Sequence, residues 1–84
     1  MKTVVVISSK NCKSCIKTKQ FLNDNKIKYI EYDTTDDRAM KVFSSVVHSL
    51  PTVIIFEKTK TSANLVKYWG GYSETKLEQI IKGE

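Results

Sequence analysis

A continuous apolar run near the start of the chain constrains the possible folds most. Residues 2–7 are β-branched and apolar almost throughout, and they lack the polar alternation of a strand that has one face in water. Such a run is typical of a strand buried on both faces, which lies inside a sheet and not at its edge. The polar residues 8–11 end the run and predict a loop. We therefore expect a layered α/β fold with this strand at its centre.

Helical periodicity follows the loop. Residues 12–25 contain no proline or glycine, and their less polar positions recur every three or four residues, so that one helical face can be buried. The positions on that face are Cys15, Thr18, Phe21 and Leu22. The turn-forming residues 23–25 end this helix, and residues 28–33 then alternate charged and apolar side chains as a half-exposed strand does.

A second helix is predicted next. Thr34 or Thr35 can cap its N-terminus, and Asp36 and Asp37 in its first turn suit the positive end of the helix dipole. The apolar positions that follow predict that this helix extends to Val47.

Two strands and a last helix complete the predicted fold. Residues 52–56 and 65–69 have strand composition, and the polar loop between them is short enough for an antiparallel hairpin. Ser73 can cap an amphipathic helix that has Lys82 in its final turn and Gly83 just past its end. The predicted order is β-α-β-α-β-β-α, with a four-stranded mixed sheet and three helices in one domain, residues 1–84. Strands joined through a helix are expected to run parallel.

Composition narrows the classes of function. The 84 residues carry 14 basic and 9 acidic side chains, so the formal net charge is +5, spread along the chain. Such a charge can favour an acidic protein partner or weak nucleic-acid binding, but no motif for nucleic-acid recognition is present. The longest apolar runs are far shorter than the roughly 20 residues of a membrane span, and no secretory signal is found. We therefore expect a cytoplasmic protein.

The chemistry of the chain is concentrated in two cysteines. Cys12 and Cys15 are separated by two residues where the first loop passes into the first helix, so their sulfurs can close a disulfide within one helical turn. Unpaired N–H groups and the dipole at the helix N-terminus stabilise a thiolate, and Lys10 and Lys13 add to this effect. Cys12 is therefore the expected nucleophile, with a pKa below the free-thiol value of about 8.5. Cys15, one turn inside, is the expected resolving thiol.

Other uses of the cysteine pair are left open by the sequence. A zinc site needs four ligands, and one chain offers these two cysteines and His48, so zinc or an iron–sulfur cluster would need ligands shared across a dimer. A purely structural disulfide would close too short a loop to stabilise the fold much. The chain can also be a redox-sensing or protein-docking module without turnover. We expect a monomer with no bound metal or cofactor.

Two distant segments are candidates for the surroundings of Cys12. Pro51 directly precedes the strand of residues 52–56, whose N-terminal end is expected beside the helix end that carries Cys12. Gly70 and Gly71 come shortly before the last helix and can present N–H groups to a carboxylate.

A set of motifs distributed over the whole chain indicates a family. The set consists of residues 12–15 after the first strand, Thr18-Lys19 in the following helix, Leu50-Pro51 before a strand and residues 69–72 before the last helix. Together they resemble the thioredoxin-fold redoxins, specifically the short glutaredoxins and the glutaredoxin-like redoxins that reduce ribonucleotide reductase. The resemblance implies a minimal glutaredoxin-like thioredoxin fold, with a cis peptide bond at Leu50-Pro51.

The resemblance also implies a function. Cys12 would attack and Cys15 would resolve disulfides of protein substrates, ribonucleotide reductase among them, with glutathione or a flavin-dependent thioredoxin reductase as electron donor. The residues expected to meet the substrate are Lys10, Lys13, Ser14, Ser49, Leu50, Pro51, Gly70 and Gly71. Glutaredoxins typically carry an aromatic residue before the second cysteine and thioredoxins carry Gly-Pro between the cysteines, whereas this chain has Lys13-Ser14, so the sequence leaves the donor open.

Overall fold

Residues 2–82 are described by the computed structural model, and their secondary structure follows the predicted order. The strands are β1 Lys2–Ser8, β2 Ile30–Asp33, β3 Thr52–Lys58 and β4 Ala63–Gly70, and the helices are α1 Lys13–Asp24, α2 Asp37–Phe43 and α3 Glu74–Ile81. The α/β class and the four-stranded mixed sheet with three helices are confirmed. Gly83, predicted to follow the last helix, lies outside the described residues.

The sheet has the strand order β2-β1-β3-β4, which places β1 between two neighbours. β1 runs parallel to β2 and antiparallel to β3, and β3 runs antiparallel to β4. The expectation that helix-linked strands run parallel is therefore right for β1 and β2 but wrong for β2 and β3. The reason is that α2 has only seven residues, which span about 10 Å, and the chain re-enters the sheet at the end from which it left.

The core lies on both faces of β1, as its sequence predicts. Val4 and Val6 point to the side of α1 and α3, where they pack in a cluster with Leu22 and Leu77. Val5 and Ile7 point to the other side, toward Ile54 and the partly buried apolar residues of α2. Because side chains alternate along a strand, a run that is apolar at successive positions has a partner layer on each face.

The second helix begins and ends differently from the prediction. Asp36, not Thr34 or Thr35, is its N-cap, and one of its carboxylate oxygens accepts a hydrogen bond of 3.1 Å from the N–H of Ala39. Thr35 instead donates both its N–H and its hydroxyl to Asp33 Oδ1 in the preceding turn. The helix stops at Phe43 and not at Val47, since serines at 44 and 45 favour turns over a helix interior.

The remaining boundaries shift by a few residues. The hairpin strands β3 and β4 extend beyond their predicted ends and leave only residues 59–62 as the loop. There the N–H of Thr59 donates to the carbonyl of Ser62 over 2.8 Å. Ser73 caps α3 as predicted, its hydroxyl accepting a hydrogen bond of 3.4 Å from the N–H of Lys76.

A small polar network holds α1 against the edge strand β2. The hydroxyl of Ser8 and the ammonium of Lys19 both donate to Glu31 Oε2, each over 2.7 Å. The hydrogen bond from Lys19, assisted by that from Ser8, holds the pKa of Glu31 below its ordinary value of 4.5. Ionised Glu31 therefore links the end of β1, the middle of α1 and β2.

Replacing Glu31 with glutamine is expected to lower the stability at pH 7 by about 0.5 kcal/mol, because the Glu31 side chain is 39% exposed and solvent screens the pair. A carboxyl with a lowered folded-state pKa stabilises the fold above its unfolded-state pKa, and this contribution is lost as the pH falls through the folded-state pKa. Urea unfolding between pH 7 and pH 2 checks this, with Glu78→Gln on α3 as the exposed control. A wild-type advantage over Glu31→Gln that persists undiminished at pH 2 would contradict the carboxylate origin.

Candidate active site

Cys12 occupies the N-cap of α1. Its backbone is extended, with φ −102° and ψ 102°, and its Sγ accepts a hydrogen bond of 3.1 Å from the N–H of Cys15. Asn11 before it has a φ of +60°, a left-handed conformation that asparagine tolerates better than most residues and that turns the chain from the loop into the helix. Sulfur thus takes the capping place that serine or aspartate oxygen commonly takes, where helix N–H groups stabilise a negative charge.

The two cysteines differ in their exposure. They form a disulfide with their Cα atoms 5.2 Å apart, which the spacing in the sequence predicts. Cys12 is half-buried, whereas Cys15 is only 1% exposed. An incoming molecule therefore reaches the sulfur of Cys12 more easily than that of Cys15.

A buried threonine one turn farther along the helix stabilises the first turn of α1. The hydroxyl of Thr18, whose residue is 1% exposed, donates over 2.9 Å to the carbonyl of Ser14. The N–H of Ile16 donates to the carbonyl of Cys12 over 3.1 Å. Ser14 itself, predicted to meet the substrate, is half-buried between the two cysteines.

The loop before β3 lies at the same end of the sheet as the cysteines. Thr52 pairs with Ile7, the next-to-last residue of β1, and the chain from β1 leads directly to Cys12. The Leu50-Pro51 peptide bond is cis, as the family resemblance implies, and Pro51 is buried. The predicted proximity of Pro51 to the helix end that carries Cys12 thus follows from the strand register.

The glycine pair adjoins that loop. Gly70 at the end of β4 pairs with Thr52, and the N–H of Gly71 donates to the carbonyl of Pro51 over 2.7 Å. A Cβ on Gly70 would collide with the hydroxyl of Ser49 and lie 3.3 Å from its Cβ. Gly71 has a φ of +83°, which disfavours any other residue. The structure therefore brings the predicted residues 49–51 and 70–71 together.

Thr52 is a site residue that the sequence analysis missed. It is fully buried, and its hydroxyl donates over 2.7 Å to the carbonyl of Ser49, which fixes the loop that carries Leu50. In the sequence Thr52 is one β-branched residue in a β-branched run, so its strand propensity conceals its role in the loop. Only its position directly after a proline could have drawn attention to it.

Lysines border the cysteines on the side of α1. Lys10 and Lys13, two of the residues expected to meet the substrate, precede and follow Cys12 in the chain and are exposed. Lys17, which was not predicted as a site residue, lies one turn after Lys13, and its Nζ is 5.7 Å from the centre of the Tyr72 ring. This is the geometry of a cation–π contact, and it joins α1 to the segment that follows the glycine pair.

Metal-ligating groups are not gathered at this site. Within residues 2–82, no three histidine, cysteine, aspartate or glutamate side chains lie close enough together to hold a metal ion. His48 is an exposed residue of the loop after α2. No helix in the same part of the chain is long and apolar enough to cross a bilayer.

A sheet of this topology, with a cysteine pair at the start of the helix that follows its central strand, defines a thiol redox protein of the thioredoxin fold. The chain belongs to the glutaredoxin family, whose model matches residues 4–59. No curated protein sequence matches the chain.

Solved structures support the fold. Thioredoxin from Trichomonas vaginalis is similar with a TM-score of 0.79 at 18% identity, over 98% of this chain and 78% of that one. The glutaredoxin-like protein NrdH-redoxin from Escherichia coli is similar with a TM-score of 0.67 at 12% identity, over 93% of each chain. The thioredoxin-like protein BC3987 is similar with a TM-score of 0.67 at 25% identity, over 93% of this chain and 99% of that one.

Replacing Gly70 with alanine is expected to destabilise the protein by about 1 kcal/mol, because the new methyl group forces the Ser49 hydroxyl to rotate and crowds the Ser49 Cβ. The double variant Ser49→Gly/Gly70→Ala removes the collision and is expected to recover most of that loss, with Ser49→Gly alone as the control. Urea unfolding of the oxidised proteins measures all three. A double variant no more stable than Gly70→Ala would show that Ser49 is not the obstacle.

Proposed function

We propose that the protein reduces disulfides in other proteins by dithiol exchange. In the reduced protein the Cys12 thiolate attacks one sulfur of a substrate disulfide, so that a Cys12–substrate bond forms and the substrate's own S–S bond breaks. The second substrate sulfur leaves as a thiolate and takes a proton from water. Cys15 then loses its proton and attacks Cys12 Sγ, which closes the Cys12–Cys15 disulfide and releases the first substrate sulfur. Two electrons pass from the cysteine pair to the substrate.

The observation that carries the proposal is the unequal placement of the two sulfurs. Cys12 is half-buried and is the N-cap of α1, where its Sγ accepts the N–H of Cys15, which suits a thiolate that meets a partner. Cys15 is shielded and lies one turn away, within bonding reach of Cys12. A resolving thiol needs this placement, because it must reach the mixed disulfide without competing for the substrate.

The surroundings suit an extended substrate backbone. Ser49 and Leu50 precede the buried Pro51, and the carbonyl of Ser49 is held by Thr52. In the proposed complex the substrate pairs with the backbone of Leu50, and Gly71 leaves room for it because the space where its side chain would stand is open. The space beside Gly70 is instead taken by Ser49. We propose that Lys10, Lys13 and Ser14, on α1 and the turn before it, meet the substrate beside Cys12.

We base our proposals for the electron donor and the substrate on the similarity of this chain to glutaredoxins and to thioredoxin-like proteins. Glutathione suits the glutaredoxin family of this chain, whereas a flavin-dependent thioredoxin reductase suits its fold neighbours. Escherichia coli NrdH-redoxin is a glutaredoxin-like protein with a thioredoxin-like activity profile. We extend that profile to this chain, since Ser14 stands where glutaredoxins typically have an aromatic residue. From the resemblance to the redoxins that serve ribonucleotide reductase, we propose that enzyme as one substrate.

Reduction of a small disulfide is expected in at least one of two coupled assays. One assay supplies glutathione with glutathione reductase, and the other supplies a flavin-dependent thioredoxin reductase, with NADPH consumption as the readout in both. The arm that turns over identifies the donor, and Cys12→Ser is expected to be inactive in it. Activity of the wild-type protein in neither arm would refute the carrier function.

Replacing Cys15 with serine separates the two chemical steps. This variant is expected to form the mixed disulfide through Cys12 and to stop there, which mass spectrometry detects as an adduct of one substrate molecule, whereas Cys12→Ser forms none. The competing function, a docking module, predicts instead that Cys12→Ser keeps its affinity for a partner and that no adduct accumulates in Cys15→Ser.

A further inference from the structure

Positive charges near Cys12 fall into two groups according to their neighbours. Lys19 is paired with Glu31 over 2.7 Å. Lys10 acts on Asp33, whose pKa is lowered chiefly by hydrogen bonds from Thr35 and to a smaller extent by Lys10 and Lys19. These two lysines therefore already have carboxylates close by.

Lys13 and Lys17 form the second group. Within residues 2–82 neither has a carboxylate within ion-pairing distance, and the first turn of α1 contains no acidic residue. They are four residues apart on a helix, so they lie on one face, one turn above the other. Both are exposed. We call these two residues the lysine row.

The lysine row runs along the proposed substrate groove. Lys13 follows Cys12 directly, and Lys17 Nζ lies 5.7 Å from the Tyr72 ring centre. Tyr72 follows Gly71, whose N–H is bonded to Pro51. Lys13 therefore adjoins Cys12, and Lys17 contacts the segment that follows the glycine pair, which is itself bonded to the loop of residues 49–51.

Beyond Lys17 the surface changes sign. Lys17, Phe21 and Tyr72 line a cleft of about 410 Å³, and Asp24 and Glu74 lie on its walls without pairing with Lys17. Negative groups on a partner are thus attracted at the row and repelled farther along α1. The alternation confines the attraction to a short stretch beside Cys12.

From this surface we infer that the preferred substrates carry aspartate or glutamate within a few residues of the cysteine that Cys12 attacks. The inference rests on the proposed function and names its substrate class. The occupant is an acidic protein segment, because the two lysines without an ion-pair partner in the described residues border the thiol groove and the proposed reaction requires a partner that brings a disulfide. Exposed charges act through solvent, so the row affects the encounter rate and is sensitive to salt.

Two peptides with the same disulfide test the inference. One carries Asp and Glu beside the attacked cysteine, and the other carries Asn and Gln at those positions. The pre-reduced protein is mixed with each peptide, and the second-order rate constant of protein oxidation is measured by alkylation and mass spectrometry, which needs no electron donor. The acidic peptide is expected to react about fivefold faster at low salt, and this ratio is expected to approach one in about 0.5 M salt.

Matched variants locate the effect. Lys13→Gln/Lys17→Gln is expected to lose the preference, measured as the ratio of the two rate constants, so that a general change in thiolate reactivity cancels. Lys28→Gln/Lys60→Gln removes the same charge outside the groove and is expected to keep the preference. Lys60 is separated from the Pro51 loop by the whole of β3, a strand of seven residues that spans about 23 Å.

The outcomes distinguish a failure of the inference from a failure of the proposed function. Equal rates for the two peptides with the wild-type protein overturn the inference but leave the proposed function intact, because both peptides are still reduced. A loss of preference in Lys28→Gln/Lys60→Gln as large as in the row variant overturns it too, since overall charge would then be the cause. No reaction with either peptide refutes the proposed function itself.

Discussion

The antiparallel pairing of β1 with β3 determines where every part of the site lies. It sets Ile7 opposite Thr52, so that the last residues of β1 and the first residues of β3 lie at the same end of the sheet. The chain leaves the sheet at that end, from β1 towards Cys12, and re-enters it there through Pro51. Pairing of the same Thr52 with Gly70 adds the glycine pair on the other side. A slip of one residue would exchange the faces of Val53, Ile54 and Ile55, and each would then have to repack in a layer filled by side chains of a different shape.

Much of the fold follows from patterns that act locally. The buried run of β1, the helical face of Cys15, Thr18 and Leu22, and the cap at Ser73 each depend on neighbours in sequence, and each is found as predicted. The direction of β3 depends on how far the seven residues of α2 carry the chain, which no local pattern records. Asp36 caps α2, whereas the hydroxyl of Thr35 donates to Asp33. The sequence offers several polar side chains that could cap this helix, and the choice between them depends on hydrogen bonds that the sequence pattern does not determine.

Some features of the candidate site were predictable from the sequence, and others depend on how the strands pair. The cysteine pair and its place at a helix N-terminus are visible in the sequence, because spacing and propensity define them. The contact of Ser49 with Gly70 and the hydrogen bond from Thr52 to Ser49 join parts of the chain through strand pairing, so they become visible only once the register is known. Lys17 was one of several lysines in the sequence. In the structure, Lys17 differs from Lys19 because it contacts Tyr72 and has no carboxylate partner within the described residues.

A fold this small has few means of choosing a partner. The hairpin loop is residues 59–62 and lies at the far end of the sheet from Cys12, so it does not border the groove. Backbone pairing at Leu50 is indifferent to the partner's sequence, because every peptide offers the same N–H and carbonyl groups. Discrimination must then come from side chains that border the groove, and along α1 these are mainly cationic. Selectivity by charge is therefore the form of recognition that this minimal architecture can add without altering its core.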